Sequence, residues 1–339
     1  MPAERSSGRR LEYSAVVPTK DRHEAASATV DNLLEQARLP QRIVVVDASA
    51  HAYEPSPEQI ERARSAGVDL LVVASRPSVH AQRNLGARRV ETPVVLFLDD
   101  DVRIPPTYAE ALLALWESLG LDAIGAIQGT PAEVPRQGRV ARTLRRLAML
   151  SYIDPAGSAM TLRRSGKVRF VPEPSGPVRV PVLASGATAY RTELALAHPF
   201  DERFSGYTPG GDLEMSFRLA SQAPLFQTPE VRWKHLWDPR ERISSTRWYV
   251  RGRCETYFRL RRLDRSPLTL AAFGISLVAD AGLALRDSAR ERKLGHVRGF
   301  ARGVLETLRA PPPERAVSSR ESPPLTSGTA GNDGPGRQT

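Results

Sequence analysis

The chain has one cysteine, Cys254, in 339 residues. That excludes an internal disulfide and any Cys-rich zinc site, and it suits a reducing compartment. The opening residues, MPAERSSGRRLEYS, carry charge with no apolar stretch behind them, so a secretory signal is not expected and a cytoplasmic location is. Zinc-finger spacing, RNP aromatic motifs, sustained heptads and internal repeats are all missing. The acidic side of the charge balance is also short: 48 Lys and Arg face 38 Asp and Glu, a net charge of +10 dominated by arginine. Such an excess favours an anionic partner, whether nucleic acid, nucleotide phosphates or the anionic face of a membrane. Much of it lies after Arg139, in RVARTLRRLAML and RWYVRGRCETYFRLRR, while the first half is nearly balanced. The basic segments therefore read as a local surface, and nucleic acid is not expected as a partner.

What is present is alternation. Apolar runs at Tyr13–Val17, Arg42–Val46, Val68–Ala74, Val94–Leu98 and Ala123–Gln128 read as strands. Between them, His23–Ala37, Pro57–Ala66 (capped by Ser56), Val79–Val90 and Pro106–Leu119 read as helices. This order predicts an α/β fold with a mainly parallel, doubly wound sheet, its strand ends at Pro18, Asp47, Ser75 and Asp99 sharing one edge. From Thr130 to Pro181 the pattern loosens into a substrate-facing insertion with a basic helix at Arg139–Leu150 and a hairpin around Lys167–Val171. A strand over Val180–Tyr190, a helix over Asp212–Ser221, an edge strand over Leu225–His235 broken by Pro229, and an Arg-rich helix over Ser245–Arg262 follow. Leu268–Leu285 is apolar enough for a membrane span, but Asp280 inside it and Arg286 after it favour a core or peripheral helix. The tail from Pro311 has almost no large apolar residues and is expected to be disordered.

The stretch that carries chemistry is VVLFLDDD, Val94–Asp101, where a buried strand runs straight into three carboxylates. At the carboxyl edge of an α/β sheet these face the ligand crevice. Their mutual repulsion is relieved by a hard divalent cation, and Mg²⁺ held by one or two carboxylates completes its shell with substrate phosphates. The simpler alternative is a solvated turn ahead of the next helix. Pro18-Thr19-Lys20-Asp21-Arg22 follows the first strand and can present groups to a nucleotide, although it equally suits a polar turn with Asp21 capping the helix. Asp47, ending VVVD, can accept from a base or ribose or cap its own turn.

Taken in order, VVPTKDR, VVVDAS, AQRNLGARRVETPVVLFLDDD and FDERFSGYTPGGDLEMSFRL resemble the signature blocks of the family-two inverting glycosyltransferases of GT-A fold. The resemblance runs from Tyr13 to His235. It implies a GT-A catalytic domain over residues 13–240 with a nucleotide-binding half (13–128) and an acceptor half (129–240). A polar leader (1–12), a basic helical extension (241–310) and the tail (311–339) complete the chain. Carried over residue by residue, Pro18, Thr19, Arg22, Asp47, Arg83, Asp99 and Asp100 would serve the nucleotide donor. Asp101 and His235 would hold a divalent metal, Mg²⁺ or Mn²⁺, and Asp212 would be the catalytic base. Gly210, Gly211 and Glu214 would face the acceptor. Gly211 stands where the family commonly has Glu, and Glu214 where it commonly has Asp. Arg240 and Arg242 could reach the diphosphate from the following loop.

The implied reaction moves a sugar from a nucleoside-diphosphate sugar to a hydroxyl of a polysaccharide, glycolipid or secondary metabolite. Two other classes remain at this point. A nucleotidyltransferase would be expected to carry a Gly-rich phosphate loop, which PTKDR lacks. A degenerate core serving as a basic nucleic-acid- or membrane-binding protein would not need Asp99, Asp101 and Asp212. Arginine beside Trp248, Tyr249, Tyr257 and Phe258 is a pattern used at an anionic leaflet, so peripheral membrane association is a further expectation.

Overall fold

The computed structural model describes residues 10–134, 137–157, 159–202, 210–236 and 244–309. Arg240, Arg242, the tail from Pro311 and most of the polar leader lie outside them.

In chain order, β1 (Tyr13–Thr19), α1 (His23–Leu34), β2 (Arg42–Asp47), α2 (Pro57–Ser65), β3 (Asp69–Ala74), α3 (Val79–Ala87) and β4 (Val94–Leu98) form the first half. β1 and β4 are buried at every position, as parallel strands with helices on both faces must be. β1 pairs in parallel with β2 and β4, and β2 with β3. Thr19, Asp47 and Ala74 lie side by side in that register, so the expected common edge exists. α2 begins in a capping box, Ser56 and Gln59 exchanging side-chain and backbone hydrogen bonds with Pro57 at the first turn.

The second half adds β5 (Val102–Arg103), α4 (Tyr108–Leu119), β6 (Ala126–Pro131), α5 (Arg139–Leu147), β7 (Tyr152–Ile153), β8 (Thr161–Leu162), β9 (Val168–Phe170) and β10 (Val178–Val180). β11 (Ala187–Arg191), α6 (Thr192–Ala197), α7 (Gly211–Ala220) and β12 (Leu225–His235) follow. The main sheet has the order β10-β12-β6-β11-β4-β1-β2-β3. β8 and β9 make the expected hairpin, with β7 on its other side.

Two expectations need correction. The strand over Val180–Tyr190 is two strands: the chain leaves the sheet after Val180 and returns at Ala187, because Leu183 N–H turns to the Ser216 hydroxyl of α7 (3.1 Å). β12 is not an edge strand, since it lies between β10 and β6. Pro229 is tolerated there because the ladder skips: the register to β6 shifts between Thr228 and Arg232, so no N–H is required of it.

Three helices close the described chain: α8 (Ser245–Arg262), α9 (Pro267–Arg290) and α10 (Gly295–Arg309), all within the stretch expected as a helical extension. α8 and α10 approach closely. A Cβ at Gly303 would stand 2.1 Å from the Tyr249 carbonyl oxygen, and one at Gly252 2.5 Å from that of Phe300. Trp248 and Phe258 are buried and Tyr257 donates to Asp201, so the α8 aromatics serve internal packing. Asp280 of α9 is fully buried and accepts from Lys167 Nζ (2.5 Å) and Arg251 Nη2 (2.8 Å). Lys167 also meets Glu255 (2.5 Å). Burial raises the Asp280 carboxyl to about 6. Burial acts the same way on Glu255, but Lys167 and Arg251 outweigh it and hold that carboxyl at about 2.

Candidate active site

β4 is completely buried, so its chain must emerge at the sheet edge, and it does so at Asp99. The first carboxylate is placed by backbone: Asp99 N–H donates to the Gly186 carbonyl (2.9 Å). A Cβ at Gly186 would lie 2.7 Å from Asp99 Oδ2, so a side chain there would push this carboxylate from its present position. The second carboxylate points inward. Asp100 accepts from the Thr19 hydroxyl (2.8 Å) and Arg22 Nη1 (3.3 Å), and burial raises it to about 6 against the opposing pull of both partners. Asp101 turns outward, with Arg22 Nη1 at 3.1 Å from one oxygen and His235 Nε2 at 3.6 Å from the other.

His235 reaches that position through the sheet. β5 pairs antiparallel with the end of β12, Val102 opposite His235, and Leu236 N–H donates to the Asp101 carbonyl (2.6 Å). The acidic turn and the histidine are thus joined by backbone across most of the domain.

Arg83, on the buried face of α3, connects these groups to the start of α7. Its guanidinium meets Asp99 Oδ1 at 2.5 Å and Asp212 Oδ1 at 3.6 Å while remaining 5% exposed. Burial disfavours its charge, but Asp99 and Asp212 more than compensate, so it is held firmly cationic. Asp212 stands in the first turn of α7, where a carboxylate is favoured by the helix dipole, and accepts from the Ser185 hydroxyl. Gly210 caps the helix with φ +102°, a left-handed conformation that side chains rarely adopt.

The sequence profile of glycosyl transferase family 2 matches residues 14–186. The chain belongs to this family. No curated protein sequence matches it. Among solved structures it resembles GalNAc-T7, crystallised with UDP, GalNAc and Mn²⁺, with TM-score 0.51 and 17% identity over 67% of this chain and 43% of that one. The chain thus spans less than half the length of that relative. S. aureus TarS residues 1–349 with UDP gives 0.48 and 16% over 88% and 91% of the two chains. The mannosyltransferase PcManGT of Pyrobaculum calidifontis with GDP-Man and Mn²⁺ gives 0.47 and 15% over 89% and 88%. The fold is GT-A.

Within this family-two scaffold, the structure gathers Arg22, Arg83, Asp99, Asp100, Asp101, Asp212 and His235 along one edge, with Pro18 and Thr19 buried at the end of β1 beside them. Other residues have different work. Asp47 accepts from the N–H groups of Ser49 (2.9 Å) and Tyr53 (2.7 Å), the turn-capping role of the two that its position allowed. Glu214 is not brought to the acceptor side: it is 2% exposed and paired with Arg218 (2.9 Å) and Arg262. A carboxylate on the inner face of α7 is stable only with such partners, and here it ties α7 to α8. Gly211 has a steric cause, because a Cβ would fall 2.1 Å from His80 Nε2.

The donor set suits a hard divalent ion bound between Asp101 and His235. Their 3.6 Å separation is too long for a hydrogen bond; the carboxylate suits a hard ion such as Mg²⁺ or Mn²⁺, and the imidazole suits softer first-row ions. Among the described residues no third His, Cys, Asp or Glu completes a cluster, so the remaining ligands would come from phosphate and water. Ser185, Gly186, Gln82 and His80 were missed in the sequence. Gln82 donates to the carbonyls of Thr19 (2.7 Å) and Val46 (2.8 Å), bracing the ends of β1 and β2. Their only sequence signal was position: Gln82 precedes Arg83, and Ser185-Gly186 precedes a strand.

Proposed function

We propose that this family-two protein is a cytoplasmic inverting hexosyltransferase that uses a nucleoside-diphosphate sugar and glycosylates a hydroxyl of a cell-surface polysaccharide, a glycolipid or a secondary metabolite. The observation that carries this reading is the buried Arg83 held between Asp99 and Asp212, since it sets the donor-side carboxylates and a candidate base in one cleft. GalNAc-T7, crystallised with UDP, GalNAc and Mn²⁺, is in keeping with such a donor.

Arg22 and Arg83 would draw the diphosphate to the edge, with Asp99 beside the ribose. Asp101 and His235 would hold Mg²⁺ or Mn²⁺, which supplies Lewis-acid stabilisation of the departing diphosphate. The acceptor oxygen bonds to the anomeric carbon from the face opposite the diphosphate as the carbon–oxygen bond to that group breaks. The bonding pair leaves with the nucleoside diphosphate, and the hydroxyl proton passes to Asp212. Ser185 orients the receiving carboxylate by donating to its Oδ1.

Thermal shift with UDP, dTDP, GDP and CDP, with and without Mn²⁺, tests the donor site on wild type and Asp101→Ala. The expected result is a metal-dependent rise for one diphosphate, lost in the variant. No shift with any of the four, in folded protein, overturns the assignment.

A further inference from the structure

α9 is apolar on more of its circumference than the protein covers. Its buried face mixes Ala272, Phe273 and Ala284 with Thr269, Ser276, Asp280, Asp287 and Ser288, and Asp280 is satisfied by Lys167 and Arg251. Its exposed face carries Leu268, Ala271, Ile275, Val278, Gly282 and Leu285. These recur every three or four residues along the helix, a continuous apolar stripe. Val278 is 75% exposed and Leu268 67%. Isolated exposed aliphatics need no explanation, but a stripe the length of a helix marks an interaction surface.

A second element repeats the pattern. On α5, Val140, Leu144 and Leu147 are 75%, 61% and 70% exposed at the spacing of one helix face, and Arg139 and Arg146 are exposed beside them. Arg163 of the β8–β9 hairpin donates to the Arg146 carbonyl at the end of α5 (2.7 Å), and Lys167 of the same hairpin reaches Asp280 of α9 (2.5 Å), so the hairpin joins α5 to α9. Exposed Arg286, Arg290, Arg292 and Lys293 follow the α9 stripe at its end.

We propose that α5 and the outer face of α9 form a docking surface for an anionic lipid bilayer. The choice of occupant follows from charge. Two apolar stripes edged by arginine match acyl chains below anionic headgroups, whereas a second copy of a chain with net charge +10 would bring like charges together. The sequence beyond Arg309 offers only Val317 and Leu325 as large aliphatics, too few to cover the stripes. The geometry argues against spanning, because α9 itself carries Asp280 and Asp287, both buried in the protein, and could not enter the bilayer without taking Asp280 away from Lys167 and Arg251. The helix therefore lies flat, apolar stripe down. The surface is remote in sequence from the donor site and does not depend on the transferase reading.

The test is cosedimentation of the full chain with phosphatidylcholine vesicles, pure or with about one-third phosphatidylglycerol. Wild type should bind the anionic vesicles, bind the neutral ones weakly, and be released by salt. Val278→Asp and Leu144→Asp should each weaken partitioning by about tenfold or more, and Arg139→Glu with Arg146→Glu should abolish the preference for anionic lipid. All these positions are exposed, so the variants should fold and keep the nucleotide thermal shift, which reads the donor site separately. Absence of wild-type binding, equal binding to both vesicles, or unchanged binding by Val278→Asp overturns the proposal. So does a dimer in sedimentation velocity that Val278→Asp converts to monomer.

Discussion

Replacing Gly211 with alanine should destabilise this protein, against the usual direction for a glycine within a helix. At an open position the change gains about 0.5–1 kcal/mol by restricting the unfolded chain. Here the new Cβ would sit 2.1 Å from Nε2 and 2.3 Å from Cε1 of His80, more than an ångström inside normal contact. The ring has little freedom to move: it is 1% exposed, donates from Nδ1 to the Asp201 carbonyl (2.8 Å) and stacks on Phe200 with centroids 5.3 Å apart. Overpacking of that kind costs about 1–3 kcal/mol, so the net loss is about 1–2 kcal/mol, a fall in Tm of about 1.5–3 °C at this chain length. Thermal denaturation of Gly211→Ala, His80→Ala and the double variant forms the decisive cycle. With the imidazole gone the clash is gone, so the double variant should be no less stable than His80→Ala alone. A Tm for Gly211→Ala at or above wild type, or strict additivity in the cycle, would refute the steric reasoning.

Asp212→Asn keeps the Ser185 contact but cannot take a proton, so turnover should fall about 10²–10⁴-fold while the nucleotide thermal shift persists. Arg83→Met removes the cation between two carboxylates; about 2–3 kcal/mol of stability should be lost, less than for an enclosed pair, since Asp99 and Asp212 remain 28% and 38% exposed. Lys167→Met leaves Asp280 and Glu255 without their shared ammonium, and denaturant unfolding should register a loss of about 3–5 kcal/mol. Because Glu255 is held at about 2, below its ordinary 4.5, its contribution is present above the ordinary value and disappears as pH falls through the folded one. Glu255→Gln should flatten that acid limb in unfolding titrations, and an unchanged limb would contradict the assignment.

The parallel core was readable because β4 is an unbroken apolar run and β1 and β2 are apolar through their middles, a pattern that a sheet covered on both faces buries. The acidic turn was readable for the same reason: carboxylates directly after such a run have nowhere to go but the edge. What sequence concealed was partnership across the chain. LASGATAY reads as one strand with its neighbours, and nothing local reveals that Ser185 and Gly186 leave the sheet to meet Asp212 and Asp99. Glu214 looks like part of an acidic motif until Arg262, far along the chain, is found against it. Leu268–Leu285 shows one internal aspartate, but its face is defined by Lys167 and Arg251 on other elements. Likewise, Pro229 signals an interruption without saying whether the strand is at the rim or inside.

The short ladder between β5 and β12 gives the site a history as well as a shape. Val102 and His235 meet across a separation of more than a hundred residues, a contact whose loop closure carries a high entropic cost. The first half of the sheet pairs strands from neighbouring segments, but the histidine arrives only with β12, the last described strand. A chain synthesised only as far as Asp101 has the three carboxylates of the turn but neither Asp212 nor His235. The edge is therefore completed from the far end of the domain, and the backbone bond from Leu236 to Asp101 is the latch that closes it.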